Sequence, residues 1–305
     1  MEYVMGCINI SELRNDFRYF RRKLERKIAP IATLKYDFNK CMKKDLGKLD
    51  LSNVRSFSEK INWIKVYDNN PLYVECTDKY KVRNYVKKCG LEEILNDLYE
   101  VYDCVDEINL DKLPDKFVLK ANHGCGWNII CSDKKQLDWS LAKKKLKKWM
   151  KMDYYNVQGE KWYSQIQRKI VCEQYLEDKK YKDLKDYKIF CFHGKPHVIQ
   201  VDIDRYIGHK RNFYDTDWNL RDIYCEHDKY EPGVERPKKL EQMLEYAHIL
   251  SEPFILARVD FYVVNDKIYF GEITFAPGSG VVPFEPVDFL YEMGNLMHLP
   301  EIKTT

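Results

Sequence analysis

Four polar residues at alternate positions in two otherwise apolar runs, Arg258, Asp260, Glu272 and Thr274, are the best placed in this chain to do chemistry. Read as a β-hairpin, they share one face. Val259, Phe261, Val263, Tyr269, Ile273 and Phe275 then form the core-facing set, because strand side chains alternate with a period of two. Asp260 opposes Glu272 if Val264 pairs Ile268 across a three-residue loop, Asn265-Asp266-Lys267; a two-residue loop would place the carboxylates on opposite faces. Two carboxylates ~4 Å apart repel by roughly 4 kcal/mol at an effective dielectric near 20. The pair therefore needs a proton, a basic partner or a metal. A few hard oxygen donors favour Mg²⁺ with bound phosphate over a closed protein cage. The plain structural alternative is a salt-bridged solvent face with Arg258 and Lys267.

Three further segments carry chemistry-bearing residues. Lys120 ends an apolar strand and runs into ANHGCGWN, where an ammonium beside two glycines suits a phosphate, although the loop is neither a P-loop nor GxGxxG. A plain turn with an exposed lysine has the same pattern. In VCEQYLED, Glu173, Gln174, Tyr175 and Leu176 mark where a strand leaves its sheet; backbone there could read an adenine edge, or the segment is an ordinary strand end. Asp202, Asp204, Arg205, His209, Lys210 and Arg211 crowd VDIDRYIGHKRNFYD, as a phosphate-gripping loop or a salt-bridged surface loop would. The histidines lack metal-site spacing, GxSxG is absent, and Cys125 and Cys191 have no evident base partner.

Positioning these residues requires a sizeable fold, and 305 residues with 45% hydrophobic content can supply one. A net charge of +3 gives no reason to expect nucleic acid as a partner. Ten cysteines without a CxxC pair, no leader-like N-terminus and no long apolar run predict a cytoplasmic protein. Helices are expected from Ser11, through Leu13, Phe17, Phe20, Leu24 and Ile28, to a stop at Pro30; over 58–67; from Thr77 or Asp78 to Gly90; over 133–150; and over 237–250. The first carries Arg14, Arg18, Arg21, Arg22, Arg26 and Lys27, which suit either an anionic surface or solvent. Strands are expected at 117–121, 128–131 and 169–174, with a pair at 187–192 and 197–202 joined through 193–196. Mixed β-pairs and helices read as α+β.

Lys120 with its glycine loop, the Glu173–Leu176 stretch and the Arg258–Thr274 hairpin ending in Pro277-Gly278, in that order, resemble an ATP-grasp protein. FSEKINWIKVYDNNPLY, DKYKVRNYV, FVLKANHGCGWN, DYKIFCFHGKPHVIQVD, HKRNFYDTDW and YFGEITFAPGSG resemble the teichuronopeptide-biosynthesis type, over roughly residues 50 to 290. The resemblance implies ATP held between two α+β subdomains: a helical N-terminal region at 1–110, a lid subdomain at 111–172 and a C-terminal, metal-binding subdomain at 173–305. It assigns Lys120 and Arg83 to phosphates, Glu173, Gln174, Tyr175 and Leu176 to the adenine hinge, and Asp186 to the ribose. Asp260, Glu272 and Thr274 would hold Mg²⁺, Thr274 standing where such ligases usually carry asparagine. Arg258 would meet the transferring phosphoryl group, with Lys210 or Arg211 reaching in from a mobile loop.

The implied reaction is ATP-dependent carboxylate–amine ligation through an acyl phosphate, joining a uronic-acid-containing surface or capsular polysaccharide to an amino acid or amino alcohol. Peripheral association with membrane-bound polysaccharide machinery is expected with it; oligomeric state is open. The alternatives are a sugar-nucleotide glycosyltransferase using Asp202-Ile203-Asp204 as its metal motif, and a degenerate scaffold.

Overall fold

The computed structural model describes residues 10–178, 184–205 and 208–301, with side chains from Asn15 onward, so Ser11, Leu13 and Arg14 lie outside the described side chains. The N-terminal part is helical: α1 Ile10–Ile28, α2 Pro30–Leu46, α3 Phe57–Tyr67, α4 Leu72–Thr77 and α5 Val82–Lys88. Pro30 does more than stop α1. It stands at the first position of α2, where its missing N–H would have been unpaired and its fixed φ suits a helix. Ser56 caps α3 in a capping box, Glu59 accepting from the Ser56 N–H at 2.8 Å. The helix expected from Thr77 or Asp78 to Gly90 begins only at Val82, as α5, because Asp78 accepts from the N–H groups of Tyr80 and Lys81 and turns the chain there; α4, just before it, was not expected.

Two antiparallel sheets follow. β1 Leu98–Tyr102, β2 Phe117–Ala121, β3 Asn128–Cys131 and β4 Ile170–Gln174 form one, in the order β1-β4-β2-β3. Its strands span 98 to 174, across both boundaries expected at 110/111 and 172/173. α6, Trp139–Lys151, buries Ala142 and Leu146 against this sheet. It starts later than expected because Asp138 caps it, accepting from the Leu141 N–H at 2.9 Å, while Asp133 closes a separate short turn. α7 is a single turn, Tyr155–Gln158.

The larger sheet comprises β5 Asp186–Phe192, β6 Lys195–Ile203, β7 Lys210–Tyr214, β8 Leu220–Arg221, β9 Leu256–Val264 and β10 Lys267–Thr274, ordered β10-β9-β5-β6-β7-β8. α8, Leu240–Ser251, packs on β5, β6 and β9, burying Ile189, Ile199, Val259 and Leu250 together. α9, Asp288–Asn295, packs on α3. Helices set beside antiparallel sheets rather than between parallel strands make the class α+β.

The β9–β10 hairpin keeps the expected facing pair by another route. Val264 pairs Lys267 across a two-residue turn, Asn265-Asp266, both residues at positive φ (50° and 61°), as a type I′ hairpin requires. That register alone would set Gly271 opposite Asp260. A β-bulge between Phe270 and Glu272 absorbs one residue and restores Asp260 opposite Glu272. Only glycine fits: a Cβ at Gly271 would stand 2.9 Å from the Asp260 carbonyl oxygen. Before the bulge the core set is therefore Ile268 and Phe270, and Tyr269 turns outward, contrary to the expected face.

α1 also departs from expectation. Its polar face is the anchored one: Arg22 and Arg26 both bond Asp37 of α2, and Tyr19 Oη accepts from the Asp153 N–H at 2.8 Å. The apolar stripe faces outward, with Phe17 74%, Phe20 65%, Leu24 58% and Ile28 73% exposed.

Candidate active site

The sheets face each other across a cleft of about 850 Å³. Strand alternation puts one charged set of the larger sheet into it. Cross-strand register then makes two rows of polar neighbours: Gln200, Lys188, Asp260 and Glu272 on β6, β5, β9 and β10, and Arg211, Asp202 and Asp186 on β7, β6 and β5. Arg258 and Thr274 form the next pair on β9 and β10.

Arg258 Nη2 is the point on which the expected metal ligands converge. It donates to Asp260 Oδ2 at 2.7 Å, Thr274 Oγ1 at 3.1 Å and Glu272 Oε1 at 3.3 Å, while Nε holds Asp260 Oδ1 at 2.7 Å. Three oxygen donors from two strands thus surround one cationic nitrogen, the donor chemistry a small hard cation needs. The residues fit Mg²⁺, with Arg258 as the countercharge where both carboxylates meet. Asp260 is 2% exposed, and burial raises its carboxyl above the ordinary value against the pull of Arg258 and Lys188. Burial also opposes the Glu272 charge, but Lys79, 3.8 Å away, and Arg258 override it and bring the carboxyl down to about 2.

Lys188, like Lys79, is a cleft residue that the sequence did not single out. Its Nζ lies among three aspartates, bonding Asp186 and Asp260 (3.1 Å) with Asp202 at 3.7 Å. Burial works against its charge, yet Asp260 and Asp186 raise its pKa. The sequence offered only a lysine inside an otherwise apolar strand run; the structure shows every residue of DYKIFCF buried, and a lysine is almost never buried unless paired. Asp186, expected at the ribose, is fully buried and also accepts from Arg205 at 2.7 Å, while its Oδ1 has no hydrogen-bond partner among the described residues. An orphaned buried carboxylate oxygen on the cleft wall suits a hydroxyl donor from a ligand.

Lys210 and Arg211 lie in β7 rather than in a loop, so alternation sends them apart. Lys210 reaches Asp228 at 3.3 Å and stands outside the cleft lining, which removes it from the expected phosphate-gripping set. Arg211 faces the cleft and grips both oxygens of Asp202 at 2.6 and 3.3 Å. Burial opposes the Asp202 charge, but Arg211 and Lys188 hold its carboxyl well below the usual range. Asp204 leaves the strand at φ 52°. The two carboxylates of the Asp202-Ile203-Asp204 motif therefore share no cation among the described contacts.

The smaller sheet supplies the opposite wall. Glu173 on β4 is bonded by Lys120 at 2.5 Å, and Arg83 approaches it to 3.8 Å while bonding Asn96. Lys120 and Arg83, expected on the phosphates, are thus brought together on one carboxylate. Burial resists the Glu173 charge, but Lys120 and Arg83 lower its pKa. Gln174 is still in the ladder and gives its N–H to the Asp97 carbonyl at 2.9 Å. Tyr175 and Leu176 line the cleft just past the end of β4, so strand-end backbone for an adenine edge falls to those two. In the loop after Lys120, Cys125 and Gly126 face the cleft. Asn122 ties this loop to the N-terminal region, donating to Asp78 at 2.8 Å and accepting from the Lys79 N–H at 3.2 Å. That tie sets Lys79 over Glu272.

No curated protein matches the chain. Similar solved structures include D-alanine–D-alanine ligase from Bacillus anthracis complexed with ATP (18% identity, 66% of this chain and 54% of that one, TM-score 0.39). They also include D-alanine–D-alanine ligase from Helicobacter pylori (15% identity, 81% and 71%, TM-score 0.44) and N5-carboxyaminoimidazole synthase from Aspergillus clavatus in complex with ADP (12% identity, 66% and 44%, TM-score 0.39). The chain spans about half the length of the first of these. The family match carries the assignment. Residues 59–298, well over half of the chain and all of the cleft, match the TupA-like ATPgrasp family, to which this chain belongs.

Proposed function

We propose that the chain is an ATP-dependent carboxylate–amine ligase that attaches an amino acid or amino alcohol to a uronic-acid-containing surface glycan. The observation that carries the reading is the convergence of Asp260, Glu272 and Thr274 on one cationic position, facing Lys120 and Arg83 across a cleft. As a member of an ATP-grasp family the chain uses ATP with Mg²⁺. The bound cation would neutralise phosphate charge, held by Asp260 and Glu272, with Thr274 as a hydroxyl beside them.

In the reaction, a substrate carboxylate oxygen bonds the γ-phosphorus as the bond to ADP breaks. The amine nitrogen then attacks the acyl carbon, phosphate leaves and the amine loses a proton. No covalent nucleophile is needed from the protein, so positioning and charge neutralisation do the catalysis. Arg258, once displaced from between the two carboxylates, is placed for the transferring group. Lys120 and Arg83 meet phosphates from the opposite wall, and Asp186 Oδ1 accepts from a ribose hydroxyl. Lys79, Arg205 and Arg211 line the same cleft and support an acidic acceptor, and the family's teichuronopeptide connection points to a uronic acid.

The test is mass spectrometry of products from Mg–ATP, pooled amino acids and uronic-acid glycans. Condensation with loss of one water, matched by ADP release, is expected. Release of UDP from a UDP-sugar would establish the glycosyltransferase instead, and failure to bind Mg–ATP would leave a scaffold. Lys120→Ala is expected to weaken ATP binding about tenfold to a hundredfold in calorimetric titration, the loss of one or two charge-assisted contacts. Unchanged affinity would move the phosphates elsewhere.

A further inference from the structure

A surface helix ordinarily turns its apolar stripe to the core and its charges to water. α1 does the reverse. Arg22 and Arg26 are tied to Asp37, Arg26 is 3% exposed, and Tyr19 bonds Asp153 and Asn156, so its polar side is fixed to the protein. Phe17, Phe20, Leu24 and Ile28, three and four residues apart, form an outward stripe, each more than half exposed. Ile31 at the start of α2 extends it at 44% exposure. Anchoring on both sides of the helix leaves it no freedom to roll the stripe inward without breaking the Asp37 pairs.

We propose that α1 is an interfacial helix that seats this chain on an anionic bilayer surface. Helical spacing of 3.6 residues per turn puts Arg18 and Arg21 along one edge of the stripe and Lys23 and Lys27 along the other, all exposed. An apolar strip with cationic rims on both sides matches an anionic headgroup layer, into which the rings and aliphatic chains sink while the cations stay among phosphates. A protein groove would need no such pair of basic margins. Beyond the helix, Lys148 of α6 bonds Asp16 of α1 at 2.5 Å, and α6 carries a shallow depression lined by Ser140 and five lysines, of which Lys143 and Lys147 pair with Asp106. No helix among the described residues is long and apolar enough to cross a membrane, so the seat lies on the surface of the bilayer. This inference stands apart from the ligase reading, because it rests on residues outside the cleft.

The experiment is co-sedimentation of the full chain with phosphatidylcholine vesicles and with vesicles containing phosphatidylglycerol. Binding is expected to the anionic vesicles, and to fall several-fold in molar salt as the Debye length shrinks to about 3 Å. The triple variant Phe20→Ser, Leu24→Ser, Ile28→Ser is expected to keep the wild-type melting temperature and ATP affinity, since those side chains touch solvent, and to partition roughly a hundredfold more weakly. Phe20→Ser alone reads the same loss in smaller degree. The proposal is overturned by equal binding of wild type and triple variant, by equal binding to neutral and anionic vesicles, or by no binding at all. Analytical ultracentrifugation covers the rival occupant: self-association of wild type that the triple variant lacks, without vesicle binding, would make a second copy the partner.

Discussion

Asp260→Asn is expected to lower turnover about a thousandfold, equivalent to about 4 kcal/mol of lost transition-state stabilisation, at saturating ATP and Mg²⁺. The expectation follows from position. Asp260 is the oxygen donor closest to the point shared with Glu272 and Thr274, and both its oxygens are engaged there. An asparagine keeps the shape but replaces one anionic oxygen with an N–H₂ group aimed at cations. The folded state tolerates this better than the reaction does, because Arg258 retains Glu272 and Lys188 retains Asp186. The melting temperature is therefore expected to fall by only a few degrees. The paired measurement separates two roles. A merely structural ion pair would show as loss of stability with turnover intact, whereas a metal-holding carboxylate shows as loss of turnover with a raised Mg²⁺ requirement. Wild-type activity in folded Asp260→Asn would remove the metal assignment.

Residue types placed Asp260 and Glu272 on one face correctly, and the turn that was expected to bring them there was the wrong one. The type I′ turn is written in Asn265-Asp266, which tolerate positive φ. The compensating bulge at Gly271 depends on how closely the Asp260 carbonyl approaches, and a lone glycine within a strand pattern does not reveal that distance. The loop expected at Lys210 and Arg211, and with it Lys210, failed for a related reason. Charge density in HKRNFYD suggests a loop, but the segment pairs with β6 as a strand, and adjacent residues on a strand cannot both enter one cleft. β1 was illegible because LYEVY is an edge strand with exposed charge, placed by its pairing with β4 rather than by its own pattern. α1 shows the opposite limit. Its period was plain, but period alone states that a stripe exists, and the long-range pairs to Asp37, Asp153 and Asn156 decide which side faces the protein.

Lys188→Met is expected to produce the largest stability loss of any single substitution at the site, about 3 to 5 kcal/mol at pH 7, because it removes one partner of buried ion pairs and strands the others. The side chains concerned are all nearly inaccessible: 7% exposed for Lys188 and 1, 2 and 3% for Asp186, Asp202 and Asp260. Asp202 keeps Arg211 and Asp260 keeps Arg258, so Asp186, left among the described residues with the partly exposed Arg205, bears most of the cost. The sign of the pH dependence follows. The Lys188 pKa is raised on folding, so its contribution is present throughout the range below its unfolded value near 10.4 and is fully missing from the variant at pH 7. Lys188 lowers the carboxyls of Asp260 and Asp202, so without it these two take up protons more readily in the folded variant than in wild type. Its deficit is therefore expected to shrink as pH falls toward 4, read as converging urea midpoints. Adding Asp186→Asn to Lys188→Met should recover part of the loss, giving a coupling energy of at least 1 kcal/mol by double-mutant cycle. Strict additivity of the two substitutions, or a deficit that stays constant from pH 7 to pH 4, would show that Lys188 does not neutralise these aspartates. The cleft would then need another source of positive charge beside Asp186 and Asp260.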